Sequence, residues 1–155
     1  MRLRLIGILA FFVCAACNPF ESDRSLSAFG GRLVGTDRGE FGGDLVFRAR
    51  DGSIQSVLKD NVQGIFKMPF GVVVFTGLDH ITINEGAVYS LLLGANEKVE
   101  ARLMHNLQGK PSDFVRQRDG SLRFRVPAGE LRFGEYFYKC ATLDTRATLQ
   151  VSDCP

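Results

Sequence analysis

Two heptapeptides fix the local geometry of this chain more tightly than anything else in it. RARDGSI (Arg48–Ile54) and RQRDGSL (Arg116–Leu122) share an Asp-Gly pair followed by serine. Asp-Gly between alternating apolar and polar residues is a strong hairpin signal, because both residues tolerate positive φ. A two-residue type I′ turn at Asp51-Gly52 predicts that Arg50 and Ser53 flank it. Leu45, Phe47, Ala49, Ile54, Ser56 and Leu58 then share the inner face. Val46, Arg48, Arg50, Ser53, Gln55 and Val57 take the other. The same turn at Asp119-Gly120 puts Arg116, Arg118, Arg123 and Arg125 on one face. Val115, Gln117, Leu122, Phe124 and Val126 lie opposite.

The rest of the chain repeats this style. Strands are expected at Arg32–Gly35 (an edge), Val62–Met68, Val72–Thr76, Ala87–Leu93, Val99–Met104, Leu131–Phe133, Glu135–Ala141 and Ala147–Val151. Val72 to Thr76, VVVFT, reads as a continuously apolar run, the mark of a strand covered on both faces. Thr36–Gly43, Gly77–Gly86 and Asn106–Ser112 read as loops, and Pro127-Ala128-Gly129 as a turn. No amphipathic helix is evident. Seventeen glycines and thirteen phenylalanines suit an all-β protein rich in turns. The fold class is therefore all-β, an antiparallel meander of hairpins.

Internal similarity suggests how the hairpins are arranged. The two heptapeptides lie 68 residues apart. DNVQG (Asp60–Gly64) and HNLQG (His105–Gly109) lie 45 apart. Both spacings fit units of about 22–23 residues. Four strands in about 45 residues resembles a β-propeller blade of the WD-repeat size class, although the WD signature is absent. Three arrangements follow: a small two-sheet sandwich, an irregular meander, or blades from several chains assembled into one propeller, as in small bacterial two-repeat lectins. Recurrent turn chemistry alone also explains the repeats.

The N-terminus gives an address. Arg2 and Arg4 precede the uncharged run Leu5–Val13, then Ala15 and Ala16. That is the plan of a secretory signal peptide. Nine residues rise only about 13–14 Å as a helix, against a hydrocarbon core of about 30 Å. No other apolar run approaches spanning length. Ala15-Ala16-Cys17 resembles the lipobox of bacterial lipoproteins, with Cys14 standing where that family usually has leucine. The resemblance covers the first 17 residues. It implies cleavage before Cys17, a diacylglycerol on the Cys17 thiol and an acylated amino group, hence a membrane partner through the lipid. Two or more chains are needed for stable anchoring. Asn18, in place of the aspartate associated with inner-membrane retention, points to the outer membrane, facing the periplasm. The expected organisation is signal peptide 1–16, lipid-anchored tether 17–31 and β domain 32–155.

Cysteine arithmetic follows from that resemblance. Cleavage removes Cys14 and acylation consumes Cys17, leaving Cys140 and Cys154. In an oxidising compartment they would pair; the alternative is two buried thiols. Removing residues 1–16 of 155 leaves 139, enough for one domain with a core. It also takes Arg2 and Arg4 from the 19 basic residues, so 17 basic balance 17 acidic. Zero net charge argues against nucleic acid as a partner.

Candidate chemistry is sparse. The Arg116, Arg118, Arg123 and Arg125 face is a candidate patch for an anionic envelope glycolipid or glycan, since guanidinium binds such groups bidentately; a solvated face neutralised by nearby carboxylates is the plainer reading. Asp79-His80 could form an acid–base pair, but no nucleophile motif accompanies it. His80 and His105 lack zinc spacing, and His105 reads as a turn residue. Tyr136, Phe137 and Tyr138 form an aromatic strand, for ring packing or as a sugar platform. No metal, cofactor or catalytic set is expected. The expected role is non-catalytic binding or structure at the envelope. Alternatives are an inhibitor or immunity-type protein acting on a periplasmic partner, and a small oligomeric carbohydrate-binding module.

Overall fold

The computed structural model of the chain describes residues 24–81, 83–132 and 135–154. The expected signal peptide and Cys17 lie outside the described residues. The fold is all-β. Twelve strands form three four-stranded antiparallel sheets, and each sheet is a plain meander of consecutive strands. The first holds β1 (Ser25–Ala28), β2 (Gly31–Gly35), β3 (Leu45–Ala49) and β4 (Ile54–Leu58). The second holds β5 (Val62–Met68), β6 (Gly71–His80), β7 (Ile83–Leu93) and β8 (Val99–Leu107). The third holds β9 (Ser112–Arg116), β10 (Leu122–Arg132), β11 (Glu135–Leu143) and β12 (Leu149–Asp153).

The sheets stack as three layers with the second in the middle. Val72 and Val74 of β6 join Leu33, Leu45 and Phe47 of the first sheet in one core. Their neighbours Val73 and Phe75 join Leu122, Phe124, Val126, Ala141 and Leu143 of the third sheet in another. The unbroken run Val72–Phe75 is thus explained: alternate side chains serve different cores, as the period of two requires. Phe75 is the hub of the second core. Its ring lies 4.9–5.7 Å from those of Phe66, Phe114 and Phe124, mostly edge to face.

Side chains also cross between layers. Gln55 Nε2 donates to Val99 O (2.7 Å), and its Oε1 accepts from Val99 N–H (2.9 Å), linking β4 to β8. His105 belongs to β8 rather than to a turn, and its Nε2 donates to Ala147 O (3.0 Å) between β11 and β12.

The turn chemistry departs from expectation in one consistent way. At Asp51-Gly52 the closing bonds are Ala49 N–H to Ser53 O and Gly52 N–H to Ala49 O, with Gly52 at φ 87°. That is a three-residue connection, a type I turn followed by a left-handed residue. Gln117–Ser121 repeats it with Gly120 at φ 86°. Gly94–Lys98 and Asp144–Thr148 repeat it again, with Glu97 (φ 60°) and Ala147 (φ 68°) at the left-handed position. Relative to a type I′ turn, the pairing slips by one residue, and a one-residue slip exchanges faces. Phe47 therefore pairs with Gln55 and Arg48 with Ile54. Gln55 turns inward and Ile54 outward, reversing the expected order on β4. An irregularity opposite Leu45–Val46 returns Leu58 to the inner side.

These turns carry a test. A left-handed backbone costs a non-glycine residue roughly 1–2 kcal/mol, part of which glycine's greater unfolded-state entropy cancels. Gly120→Ala is expected to lower stability by about 1 kcal/mol, and Ala147→Gly to raise it by somewhat less. Urea denaturation midpoints of the two variants should move in opposite directions.

Four further expectations need correction. The region taken as tether enters the first sheet at Ser25, because Phe29 and Gly30 both adopt positive φ and close a two-residue hairpin between β1 and β2. Leu26 and Phe29 pack on the first core. Gly77–Gly86 is not an open loop: β6 and β7 stay paired through Gly77–Gly86, Leu78–Glu85 and Asp79–Asn84 to His80–Ile83. Pro127–Gly129 is not a turn, because β10 runs through it with a bulge. Proline is tolerated because β9 pairs with β10 only as far as Arg125, opposite Ser112, and leaves an open edge beyond. The repeat heptapeptides occupy unlike places, the β3–β4 turn and the β9–β10 turn, so they mark a shared turn and not equivalent positions in a blade.

Candidate functional site

The one-residue slip at Gln117–Ser121 divides the four arginines. Arg123 pairs with Val115, and Leu122 with Arg116. Arg116 is thereby on the inner side, where its Nη2 donates to Lys67 O (2.8 Å) and its Nη1 to Gly120 O (3.1 Å). It braces the second sheet against the third. Arg118 sits within the exposed turn. Arg123 and Arg125, two residues apart on β10, share the outer face of the third sheet. The expected four-arginine face is thus reduced to two.

These two line a shallow depression of about 620 Å³ together with Asp113, Val115, Gln117, Tyr138, Cys140 and Cys154. Each neighbour is placed by a local cause. A bulge on β9 sets two residues against Phe124, and Asp113 adopts φ 54° there, a conformation aspartate tolerates better than most. Its carboxylate meets Arg125 at 3.2 Å. Tyr138 lies opposite Pro127 on β11, and the Arg125 guanidinium carbon stands 4.5 Å from its ring centre. Cys140 pairs with Ser152, which brings Cys154 at the end of β12 within reach. The Cys140–Cys154 disulfide is formed, with Cα atoms 4.9 Å apart. Arg123 Nη2 donates to Cys140 Sγ at 3.1 Å.

The electrostatics of the two arginines differ. Arg125 has a carboxylate and an aromatic face as partners. Arg123 has a sulfur, a weak acceptor that satisfies little of a guanidinium's donor capacity. An incoming phosphate or carboxylate therefore meets a charge that the chain has only partly compensated. Val115 and the disulfide give the same depression an apolar floor. Tyr138 and Asp113 were not singled out beside the arginines from sequence. The β9 bulge and the β10–β11 register bring them in, and the sequence carries no signal for either beyond the alternation on each strand.

Two other constellations lie away from this depression. Asp37, its side chain 9% exposed, accepts from Lys110 Nζ (3.0 Å), Gln63 Nε2 (3.1 Å), Arg24 Nη2 (3.2 Å) and Gly39 N–H (3.0 Å). Burial works to raise its carboxyl, but the Gly39 amide, Lys110 and Gln63 outweigh it and hold the pKa below the ordinary 3.8. The cluster ties the entry to β1 and the β2–β3 loop to β5 and to the link entering β9. It is a clamp in which one carboxylate holds two cations, Arg24 and Lys110. His80 Nε2 lies 2.6 Å from Glu40 Oε2, not in a pair with Asp79. Among the described residues, no group of three or more His, Cys, Asp and Glu side chains is arranged to hold a metal, and no helix is long and apolar enough to cross a membrane. No protein-family model, curated protein or solved structure matches the chain.

Proposed function

We propose that the chain is a non-catalytic, lipid-anchored binding protein of the bacterial envelope, and that the outer face of its third sheet takes an anionic group borne on a glycan or glycolipid. The observation that carries this reading is the pairing of Arg123 and Arg125 over one depression, with, among the described residues, only Arg125 matched to a carboxylate. A phosphate there gains charge-assisted hydrogen bonds from Arg123 without first displacing a carboxylate from it. The Tyr138 ring and Val115 offer apolar surface to the carbon face of a sugar. The lipobox-like Ala15-Ala16-Cys17 supports the location, because an anionic glycolipid is a component of the membrane to which such an anchor leads.

The test is calorimetric titration of the protein with a bisphosphorylated glucosamine disaccharide, using the unphosphorylated sugar as control. Binding of the phosphorylated form alone is expected. Arg123→Ser with Arg125→Ser should weaken it by on the order of 10- to 100-fold, the loss of one or two charge-assisted hydrogen bonds. Arg116→Ser should leave affinity unchanged while lowering stability. Equal binding of both sugars, or an unaffected double variant, rejects the reading.

A further inference from the structure

The three sheets point the same ends in the same direction; both ends expose large apolar side chains, and one of them carries four, including the most exposed, Phe41. The β2–β3 loop, the β6–β7 hairpin and the β10–β11 hairpin all project from that end. Their mutual placement is fixed by Glu40 against His80, and by the close approach of Pro127, Gly109 and Asn84. The opposite end carries the β5–β6 and β9–β10 turns, where Pro69 approaches Gly120. At the first end Phe41 is 82% exposed, Ile81 62%, Ile83 47% and Phe137 43%. Phe41 sits in a single 3₁₀ turn (Gly39–Phe41) that contributes no buried residue. Ile81 holds a left-handed backbone, φ 51°, at the tip of its hairpin. A β-branched residue is costly in that conformation and exposed to water besides, so folding stability does not account for isoleucine there.

The described chain begins at this same end. Arg24 O accepts from Gly35 N–H (2.7 Å), and its guanidinium reaches Asp37 beside the β2–β3 loop. Six residues separate Arg24 from Cys17, and the seven Cα–Cα steps between them span at most about 25 Å when fully extended. The ten residues of β6 run roughly 33 Å along the stack. A tether shorter than the body, joined at one end of it, keeps that end towards its anchor.

We infer that the end bearing Phe41, Ile81, Ile83 and Phe137 rests on the lipid bilayer, with these side chains inserted at the headgroup–acyl boundary. This rests on the reading of Cys17 as the anchored residue. Exposed aromatic and aliphatic side chains on loop tips suit that boundary. The lipid at Cys17 supplies the local concentration, so the tips need little affinity of their own. Their role is orientation: they stand the stack upright and hold the outer face of the third sheet, with Arg123 and Arg125, at right angles to the membrane and open to the side.

The chain contains no tryptophan, so a single introduced indole reports its own surroundings. Three variants are compared: Phe41→Trp, Ile81→Trp and, at the opposite end, Phe70→Trp. Each is made in the chain from Cys17 onward, which holds every described residue, and is coupled through the Cys17 thiol to a maleimide phospholipid. The vesicles are phosphatidylethanolamine and phosphatidylglycerol with brominated acyl chains. Emission at positions 41 and 81 is expected to shift to the blue and to be quenched about twofold or more relative to position 70, as for rings about 5–10 Å into the interface. Water-like emission at 41 and 81, or equal quenching at all three positions, overturns the inference. Because the tether is supplied chemically, this outcome does not depend on acylation of Cys17 in the cell; intact-mass measurement of the native protein decides that separately.

Discussion

Replacing Phe75 by alanine is expected to destabilise the domain by roughly 3–5 kcal/mol, the range for a fully buried aromatic ring whose cavity cannot collapse. The site has little means of collapse. Phe75 is fully buried in the middle sheet, and its ring touches Phe114 and Phe124 of the third sheet as well as Phe66 of its own. Backbone pairing on both sides of β6 prevents the strand from moving into the void. A domain of this size is stable by about 5–15 kcal/mol, so Phe75→Ala removes a large share of the margin and leaves some preparations partly unfolded at 37 °C. Phe75→Leu, which keeps most of the volume, should cost about half as much. Urea denaturation followed by circular dichroism measures both. A loss below 1 kcal/mol for alanine would mean that the second and third sheets are not packed through this ring.

Loss of the Cys140–Cys154 disulfide has the second largest expected effect. The bond closes a loop with a sequence separation of 14, for which chain entropy in the unfolded state gives about 3 kcal/mol. Cys140→Ser with Cys154→Ser should therefore cost more than Phe75→Leu and somewhat less than Phe75→Ala, by a different route. The cavity acts on the folded state and the cross-link on the unfolded one. The two losses should add, since they share no contact. The double cysteine variant should also weaken anion binding, because Arg123 donates to Cys140 Sγ and both cysteines line the depression. Full stability in a reduced sample rejects the entropic account.

Much of the architecture could be read from the chain, and the failures have physical causes. Val72–Phe75 announced a strand buried on both faces, and the two cores bear that out. The lipobox resemblance leaves Cys140 and Cys154 to pair, and their disulfide is formed. The turn type was not legible. Asp-Gly suits a type I′ turn, but glycine alone at positive φ also suits a type I turn with one residue added, and the chain adopts the latter four times. One residue of slip was enough to send Arg116 inward and leave Arg123 and Arg125 outward. Composition hid β1, since Ser25 and Ser27 look like linker, yet Leu26 packs on the first core and Phe29-Gly30 makes the turn. The paired segment from Gly77 to Gly86 was obscured by glycines at both ends. A β-carbon on Gly77 would meet Lys110 and Pro111, and one on Gly86 would meet Gly109, so these glycines admit a neighbouring segment and do not end a strand.

Among the described residues, every strand pairs only with its neighbours in the chain, and that bears on the order in which the body can assemble. The first sheet needs nothing that follows Leu58, and the first two can close their shared core before the third has been made. Until it arrives, Val73, Phe75 and Val88 face water as a bare apolar wall. The hazard of aggregation is greatest in that interval, for a half-made molecule and not for an unfolded one. The third sheet covers the wall, and its cross-link cannot close until the final cysteine has emerged.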